Sequence, residues 1–326
     1  FTFDHCGPMA WTVEDCALML QSIAGHDPQD GNSFAQPIQD YKAQLAGGVK
    51  GLRIGVLRHW WEEENPANPE HLQALERAID IFKQLGAQVA DCRVRSMQDY
   101  MDVKVVIAET EIFAVHQHNL ISRPGDFGHD FLSRILPASL FQSVDYLAAT
   151  REHRRMINEM QPIYEKFDLL LMPTFGPASP ITAHRPITFW QRGNSQVLAS
   201  DWSSDVCSSD LLPMGLQLVG APQADALVLR AGHTFEVAAN LRTKRPALAA
   251  GNQAPVLAPQ NLTPDTSGCD ASTRELATRM ATNAGLKLNE AQTEILLEAA
   301  PYAFAMAQRL RKNRNWFEEP ANAFIP

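Results

Sequence analysis

Few features of this sequence point to a membrane, an oxidising compartment or a nucleic acid. Its 326 residues contain no apolar run near the ~18 needed to cross a bilayer. The five cysteines are odd in number and widely spaced, and no pair has metal-type spacing, which favours a reduced, cytoplasmic protein. The net charge of −9 and the pI near 5.6 argue against non-specific binding to nucleic acid or to acidic membranes.

The common catalytic motifs are missing as well. The sequence has no G-x-S-x-G, S-x-x-K, H-E-x-x-H, phosphate-loop or G-x-G-x-x-G motif, so the residues alone predict no cofactor and no visible catalytic centre. His116 and His118 are two positions apart in a helical pattern and therefore point to different faces. We interpret them as solvated or core histidines and predict no metal site.

Residues 51–94 have the pattern of a strand–helix–strand unit. Residues 51–57 form a short apolar run. A helix follows, beginning at Asn68-Pro69 and ending before Gly86, and residues 87–94 form a second strand. Because the connection is helical, the two strands are predicted to lie side by side.

The remaining pattern completes an α/β fold class, with 45% hydrophobic residues to form its core. Residues 167–172 are apolar on both faces and predict a central strand, and residues 216–219 predict another, followed by a helix with Asp225 as its N-cap. Thr12 and Ser96 begin further helices. The helix after Thr12 is expected to bury one stripe, formed by Ala17, Leu20, Ile23 and Ala24.

The C-terminal part of the chain has a different composition. Residues 243–268 are rich in Pro, Ala, Gln and Thr, which is typical of a linker. Two helical patterns follow, over residues 273–284 and from Asn289 onward, the second with a predicted kink at Pro301. We therefore divide the chain into residues 1–242, a linker over 243–268 and a helical tail over 269–326.

Residues 201–211 do not fit this pattern. Ser-Ser-Asp occurs twice in them, five residues apart. The string resembles the translation of a sequencing adapter, and we interpret it as a foreign insert. A native polar surface loop is the alternative, and resequencing the source DNA distinguishes the two.

Five stretches together resemble the amidase signature family, which includes bacterial amidases and the A subunit of tRNA-dependent amidotransferases. Residues 4–15 are similar to its D-x-x-G-P-M-A-R-T-V-E-D segment, and residues 51–58 to its G-L-R-I-G-V strand. Residues 84–89, 168–174 and 212–220 are similar to L-G-A-x-V, D-x-L-L-x-P-T and L-P-x-G-L-Q-L-V-G. The resemblance implies a mixed central sheet covered by helices on both faces, present here in truncated form, plus the small helical tail.

The resemblance also implies a reaction, the hydrolysis of a small-molecule amide. The family uses a Ser nucleophile, a second Ser after a cis peptide, and a neutral Lys, and it forms an acyl-enzyme. In the family, all three residues lie in the half of the domain that precedes the segment matched by residues 4–15. We therefore expect no catalytic residue in this chain, and we expect the chain to be inactive alone.

One substrate-binding residue can be proposed from the resemblance. In members that use glutamine, an Arg in a helical segment pairs with the substrate carboxylate, and Arg134 in Ser133-Arg134-Ile135-Leu136 matches that position. The family's companion acidic residue has no clear match near residues 194–199. An Arg that holds a helix end is the alternative interpretation of Arg134.

The tail resembles the small helical C subunit that partners such amidases, and its ending at residues 319–324 is similar to E-P-A-x-x-F. A fused tail is expected to pack on the amidase domain at high effective concentration. The acidic charge favours a hydrolase over the A subunit of an amidotransferase, and neither direct nucleic-acid binding nor membrane binding is expected. A non-catalytic binding module is the third alternative, and a homodimer stays open as an assembly.

Overall fold

The structure is a computed structural model, and it describes residues 2–31, 33–64, 69–174, 190, 215–243 and 263–311. Residues 244–262 of the predicted linker, the segment at 201–211 and residues 312–326 of the predicted tail lie outside the described residues. Within the described ranges, no helix has the length and apolar character needed to cross a bilayer.

Four strands of the described chain form one mixed sheet in the order β2-β1-β3-β4. Strand β1 (Arg53–Val56) is parallel both to β2 (Gln88–Asp91) and to β3 (Leu169–Pro173). Strand β4 (Leu216–Gly220) is antiparallel to β3. Residues Leu169 to Met172 are all buried, which confirms the prediction that β3 is a central strand.

The strand–helix–strand prediction for residues 51–94 is confirmed. Helix α3 (Pro69–Gln84) connects β1 to its parallel neighbour β2. Gly86 follows the helix with φ +88°, a left-handed conformation that glycine adopts without steric cost, and its carbonyl accepts a 2.8 Å hydrogen bond from Gly51 N. Asn68, the predicted cap of α3, lies outside the described residues.

Two long helices and a short one form a second, helical part of the core. Helix α4 (Met97–Ser122) begins at the predicted cap Ser96, whose side chain accepts a hydrogen bond from Asp99 N. Helix α5 (His129–Ile135) continues into a 3-10 turn over Leu136–Leu140, and helix α6 (Ser143–Lys166) leads directly into β3.

Three more helices precede residue 243. Helix α1 (Val13–Ile23) begins at the predicted cap Thr12, and a four-residue helix α2 (Tyr41–Gln44) follows it. Helix α7 (Asp225–Ala238) starts one residue earlier than predicted: Asp225 is its first residue rather than its cap, and the cap position is Ala224, which makes no side-chain bond.

The C-terminal helices are part of the helical core. Helix α8 (Ala271–Asn283) begins at Asp270, whose carboxylate accepts a 2.7 Å hydrogen bond from Thr273 N, and helix α9 (Glu290–Arg311) continues through Pro301. Buried side chains of both helices join those of α4, α5 and α6 in one hydrophobic cluster. A second cluster surrounds the sheet, where Phe82 of α3 stacks on Phe235 of α7 at 5.3 Å between ring centres.

One core prediction is wrong. In α1, Ala17 is buried and Leu20 and Ala24 pack against the same small cluster, but Ile23 is 58% exposed. The helical period places Ile23 one turn after Met19 and about 120° around the helix from Ala17, and Met19 is exposed too. Helix α1 therefore has apolar side chains on its outer face as well as on its inner face.

Candidate substrate-binding site

Arg134 lies in the last turn of α5, where it pairs with a buried carboxylate. Its Nη2 is 3.2 Å from Oε1 of Glu109 on α4, and the Glu109 side chain is only 1% exposed. The Arg134 side chain itself is 22% exposed. Glu109 thus holds the guanidinium of a side chain that is partly exposed.

Lys104 contributes a second positive charge to this group. Its Nζ is 3.9 Å from the same Oε1 of Glu109, and it lies about one and a half helical turns before Glu109 on α4. Two cations therefore lie beside one buried carboxylate. Burial raises the pKa of Glu109, and the two cations act in the opposite direction; burial also lowers the pKa of Lys104.

Aromatic and apolar side chains fix the turn that carries Arg134. Trp190 is fully buried, and its Nε1 donates a 3.0 Å hydrogen bond to the carbonyl of Ser133. The ring centre of Trp190 is 5.8 Å from that of Phe141. Leu132 and Ile135, on either side of Arg134, are buried in the helical core. The backbone position of Arg134 is therefore set by packing, which suits a residue that orients a ligand.

This arrangement can bind an anion. A guanidinium offers several N–H donors in a fork, and Nη2 of Arg134 is the atom that faces Glu109. The Lys104–Glu109–Arg134 group contains two cations and one carboxylate, a composition that suits an anionic ligand better than a cationic one.

The described part of the chain has no comparable site for a metal ion. None of its residues form a group of three or more His, Cys, Asp or Glu side chains that could hold a metal ion. His116 contacts the rings of Phe127 and Phe131 edge-on, with centres 5.9 and 5.3 Å away. The His116 ring thus packs against two aromatic side chains.

Sequence reasoning missed Glu109 and Lys104. The signal that could have found Glu109 is its position relative to the apolar residues of α4. Glu109 lies four residues after Val105 and four before Phe113, so it shares their buried face. A charged residue on a buried helix face needs a partner, and Arg134 on the neighbouring helix is that partner.

The chain is similar in sequence to known proteins. A family model described as Amidase matches residues 1–229. The chain is 30% identical over 263 residues to an amidase of Pseudomonas putida, a match covering 76% of this chain and 56% of that protein. It is also 31% identical over 288 residues to the A subunit of a glutamyl-tRNA(Gln) amidotransferase from Chloroflexus aggregans. That match covers 76% of this chain and 57% of the subunit.

A solved structure shares the fold. It is described as an inhibitor-bound vestigial protein complex connected with the origins of an s-triazine catabolic enzyme, and it has 27% sequence identity and a TM-score of 0.57. The match covers 72% of this chain and 53% of that one. The chain thus spans little more than half the length of the relatives it matches.

Proposed function

The chain belongs to the amidase family, and from that membership we propose that it forms the C-terminal part of an enzyme that hydrolyses amides to an acid and ammonia or an amine. The observation that carries the proposal is the family match over residues 1–229, more than two thirds of the chain. The 30% identity to the Pseudomonas putida amidase supports the same reaction class.

The mechanism we propose is the one the family resemblance implies. A Ser hydroxyl attacks the amide carbonyl, and its proton passes through a second Ser to a neutral Lys. The tetrahedral intermediate expels the amine, which takes a proton, and water then attacks the acyl-Ser to release the acid. We assign all three residues to the part of the domain outside this chain, so the 326 residues alone should be inactive.

For Arg134 we propose contact with a carboxylate on the substrate. The pairing with Glu109 supports this role, because it fixes the guanidinium of a side chain that is 22% exposed. Lys104 adds positive charge that would attract an acid-bearing amide. Glu109 is then a positioning residue, since it would act through Arg134.

For the domain organisation, we propose that residues 1–242 are the amidase part, 243–268 a linker and 269–326 a fused tail that resembles a C subunit. The packing of α8 and α9 in one hydrophobic cluster with α4 to α6 supports an intramolecular partner role for the tail. Because the tail is covalently linked, its effective concentration next to the surface of residues 1–242 is high.

A second candidate function is that of the A subunit of a tRNA-dependent amidotransferase. The 31% identity to the Chloroflexus aggregans protein favours it, whereas the net charge of −9 does not. Copurification with tRNA and with a B-type subunit would support this alternative. A non-catalytic binding module ranks third, because the catalytic residues are assigned to a part outside this chain and are not replaced within a matched motif.

The test is a chimera in which the portion of the Pseudomonas putida amidase outside the match is joined to this chain. We expect ammonia release from small amides by the chimera and none by the chain alone. Hydrolysis by the unmodified chain would place catalytic residues within it and overturn the assignment.

The role of Arg134 is tested in the same chimera with paired amides that share one acyl group and differ by a carboxylate. Arg134→Ala should raise KM for the acid-bearing amide about tenfold or more and leave the neutral amide unchanged, because only one of them loses a charge-assisted contact. Arg123→Ala is the matched control, since Arg123 is 63% exposed and pairs locally with Asp126. An equal change for both amides would indicate a purely structural role.

A further inference from the structure

Two buried carboxylates lie on one face of helix α4. Asp102 and Glu109 are seven residues apart, close to two full turns, so they lie almost in line along the helix. They are 3% and 1% exposed. Glu109 pairs with Arg134 and Lys104 in the candidate site, whereas Asp102 pairs with Arg309 of α9. The same face of α4 therefore carries part of the candidate site and a contact with the C-terminal helices.

The C-terminal helices hold α4 on both sides of Glu109. Arg309 donates hydrogen bonds to both oxygens of the Asp102 carboxylate, a bidentate arrangement that fixes direction as well as distance. Further along α4, Nε2 of Gln117 donates a 3.2 Å hydrogen bond to the carbonyl of Ala284, which follows α8. Glu109 lies seven residues after the first contact and eight before the second. The part of α4 that carries Glu109 is thus bracketed by two contacts with the C-terminal helices.

The turn that carries Arg134 rests on α9 as well. Helix α9 contacts both α5, where Arg134 lies, and the 3-10 turn that follows it. Ile135 and Leu136, the next two residues of the chain, are fully buried in the hydrophobic cluster that α9 shares. The α9 side chains of that cluster with no exposed surface are Leu296, Ala300, Ala303 and Met306. Helix α9 thus lies against both helices whose side chains form the Arg134–Glu109 pair.

We propose that α9 sets the geometry of the Arg134–Glu109 pair, and that Arg309 is a positioning residue for the substrate carboxylate through Asp102. Arg134 and Glu109 lie on different helices, so their 3.2 Å contact depends on the spacing of α5 and α4. That distance is at the upper end of the range for a hydrogen bond, and a displacement of about 1 Å would break it. This role rests on the proposed function, in which Arg134 contacts a carboxylate of the substrate.

A second ion pair of α9 provides the matched control. Arg311 pairs with Asp145 at the start of α6 through the same chemistry, with Nε and Nη2 facing the two carboxylate oxygens. Both carboxylates are buried, since the side chains of Asp102 and Asp145 are 4% and 0% exposed. Helix α6 carries none of the three charged residues of the candidate site. Loss of either pair should therefore weaken the attachment of α9 to a similar degree, but only the loss of Arg309 releases α4.

The first test follows the Arg134 side chain in the full 326-residue chain by ¹⁵N relaxation of its Nε–Hε group, assigned by its loss in Arg134→Ala. This nitrogen is buried, which slows the exchange of its proton. The order parameter should fall below about 0.6, the range of flexible groups, in Arg309→Met and should keep its wild-type value in Arg311→Met. Arg309→Lys keeps the charge but loses the bidentate fork, so it should give an intermediate value and replaces Arg309→Met if that variant does not fold. Thermal unfolding verifies the fold of each variant.

The second test is kinetic and uses the amidase chimera with the paired amides described above. Arg309→Met should raise KM for the acid-bearing amide about tenfold and leave its kcat unchanged, because the chemical step does not involve this carboxylate. Both constants for the neutral amide should stay the same. Arg311→Met should change none of the four constants. A purely structural role of Arg309 would instead change both amides alike and would contradict the positioning role.

Three further results would overturn the positioning role: an unchanged order parameter in the Arg309 variants, an equal fall in Arg311→Met, or an unchanged KM in Arg309→Met where Arg134→Ala raises it. If the Arg134 side chain becomes mobile in Arg309→Met but neither that variant nor Arg134→Ala changes KM, α9 still positions Arg134 and the proposed substrate contact fails instead. The order parameter is measured without any activity assay. An inactive chimera would therefore count only against the proposed function.

Discussion

Arg309 and Asp102 are 207 residues apart in the chain and form a bidentate ion pair. Nε of Arg309 is 2.5 Å from one carboxylate oxygen and Nη2 is 2.7 Å from the other. Asp102 lies on α4 and is 3% exposed, and burial raises its pKa while Arg309 acts to lower it. Arg311 forms the same kind of pair with the buried Asp145 at the start of α6. Two ion pairs thus fasten the end of α9 to α4 and α6.

We expect Arg309→Met to destabilise the chain by about 3 kcal/mol, because it leaves Asp102 buried without its charged partner. The measurement is the free energy of unfolding from urea titration. The double variant Asp102→Leu/Arg309→Met should recover most of the loss, since it removes the unpaired carboxylate as well.

The matched control for this pair is Arg279→Met on α8. Arg279 pairs with Glu275 one turn away, and both side chains are well exposed, at 62% and 80%. Loss of such a pair should change the free energy of unfolding by less than about 0.5 kcal/mol. Equal effects of Arg279→Met and Arg309→Met would contradict the fastening role of the buried pair.

The apolar contact between α9 and helices α4 to α6 predicts a second loss of stability. Leu296 of α9 is fully buried in the cluster shared with α4 to α6. Leu296→Ala should lower the free energy of unfolding by about 2–5 kcal/mol, through lost burial and the cavity left behind. Leu276→Ala on α8, where the side chain is 37% exposed, should cost about 1 kcal/mol or less. Similar small losses for both variants would show that the tail is not part of the core.

A third prediction concerns the close packing of β1. A Cβ on Gly55 would lie 2.9 Å from Cδ2 of Leu170 and from Cγ of Phe167, and 3.0 Å from Cβ of Cys92. Gly55→Ala should therefore cost about 1–3 kcal/mol through overpacking. At Gly125 a Cβ meets nothing within 4 Å, so Gly125→Ala is the control and should be nearly neutral. A neutral Gly55→Ala in thermal unfolding would contradict the packing of this strand.

The local signals in the sequence were sufficient for most of the elements. Thr12 and Ser96 each accept the hydrogen bond from the amide three residues later that their cap position predicts. The apolar run at 167–172 correctly predicted a central strand. These features depend on residues within a few positions of one another, which a pattern can reveal.

Features that depend on distant residues could not be predicted in this way. The antiparallel direction of β4 follows from where the chain returns to the sheet, and a short apolar run does not encode it. The exposure of Ile23 depends on which other elements pack against α1. The pairing of Glu109 with Arg134 joins two helices across 25 residues of chain, so the site was predicted only at Arg134.

The last prediction follows from the pairing of Asp168 with Arg53, which joins the start of β3 to β1. The Asp168 carboxylate accepts hydrogen bonds from Arg53 N at 2.8 Å and from Nη2 at 2.7 Å. The hydrogen bond from the Arg53 side chain is the largest cause that lowers the pKa of Asp168. A lowered carboxyl pKa in the folded state means that the unfolded state binds the proton more readily.

Asp168 therefore contributes stability that is fully present above its unfolded pKa of about 3.9 and is lost as the pH falls through the lower folded value. The difference in free energy of unfolding between the wild-type chain and Asp168→Asn should be constant from about pH 6 to 7 and should shrink below about pH 4. Urea titrations across this range measure it. Asp80→Asn, at a carboxylate that pairs with Lys83 on the exposed face of α3, is the control, with less than about 0.5 kcal/mol expected at neutral pH. A difference for Asp168→Asn that persists unchanged to about pH 3 would mean that the lost hydrogen bonds matter and the carboxylate charge does not.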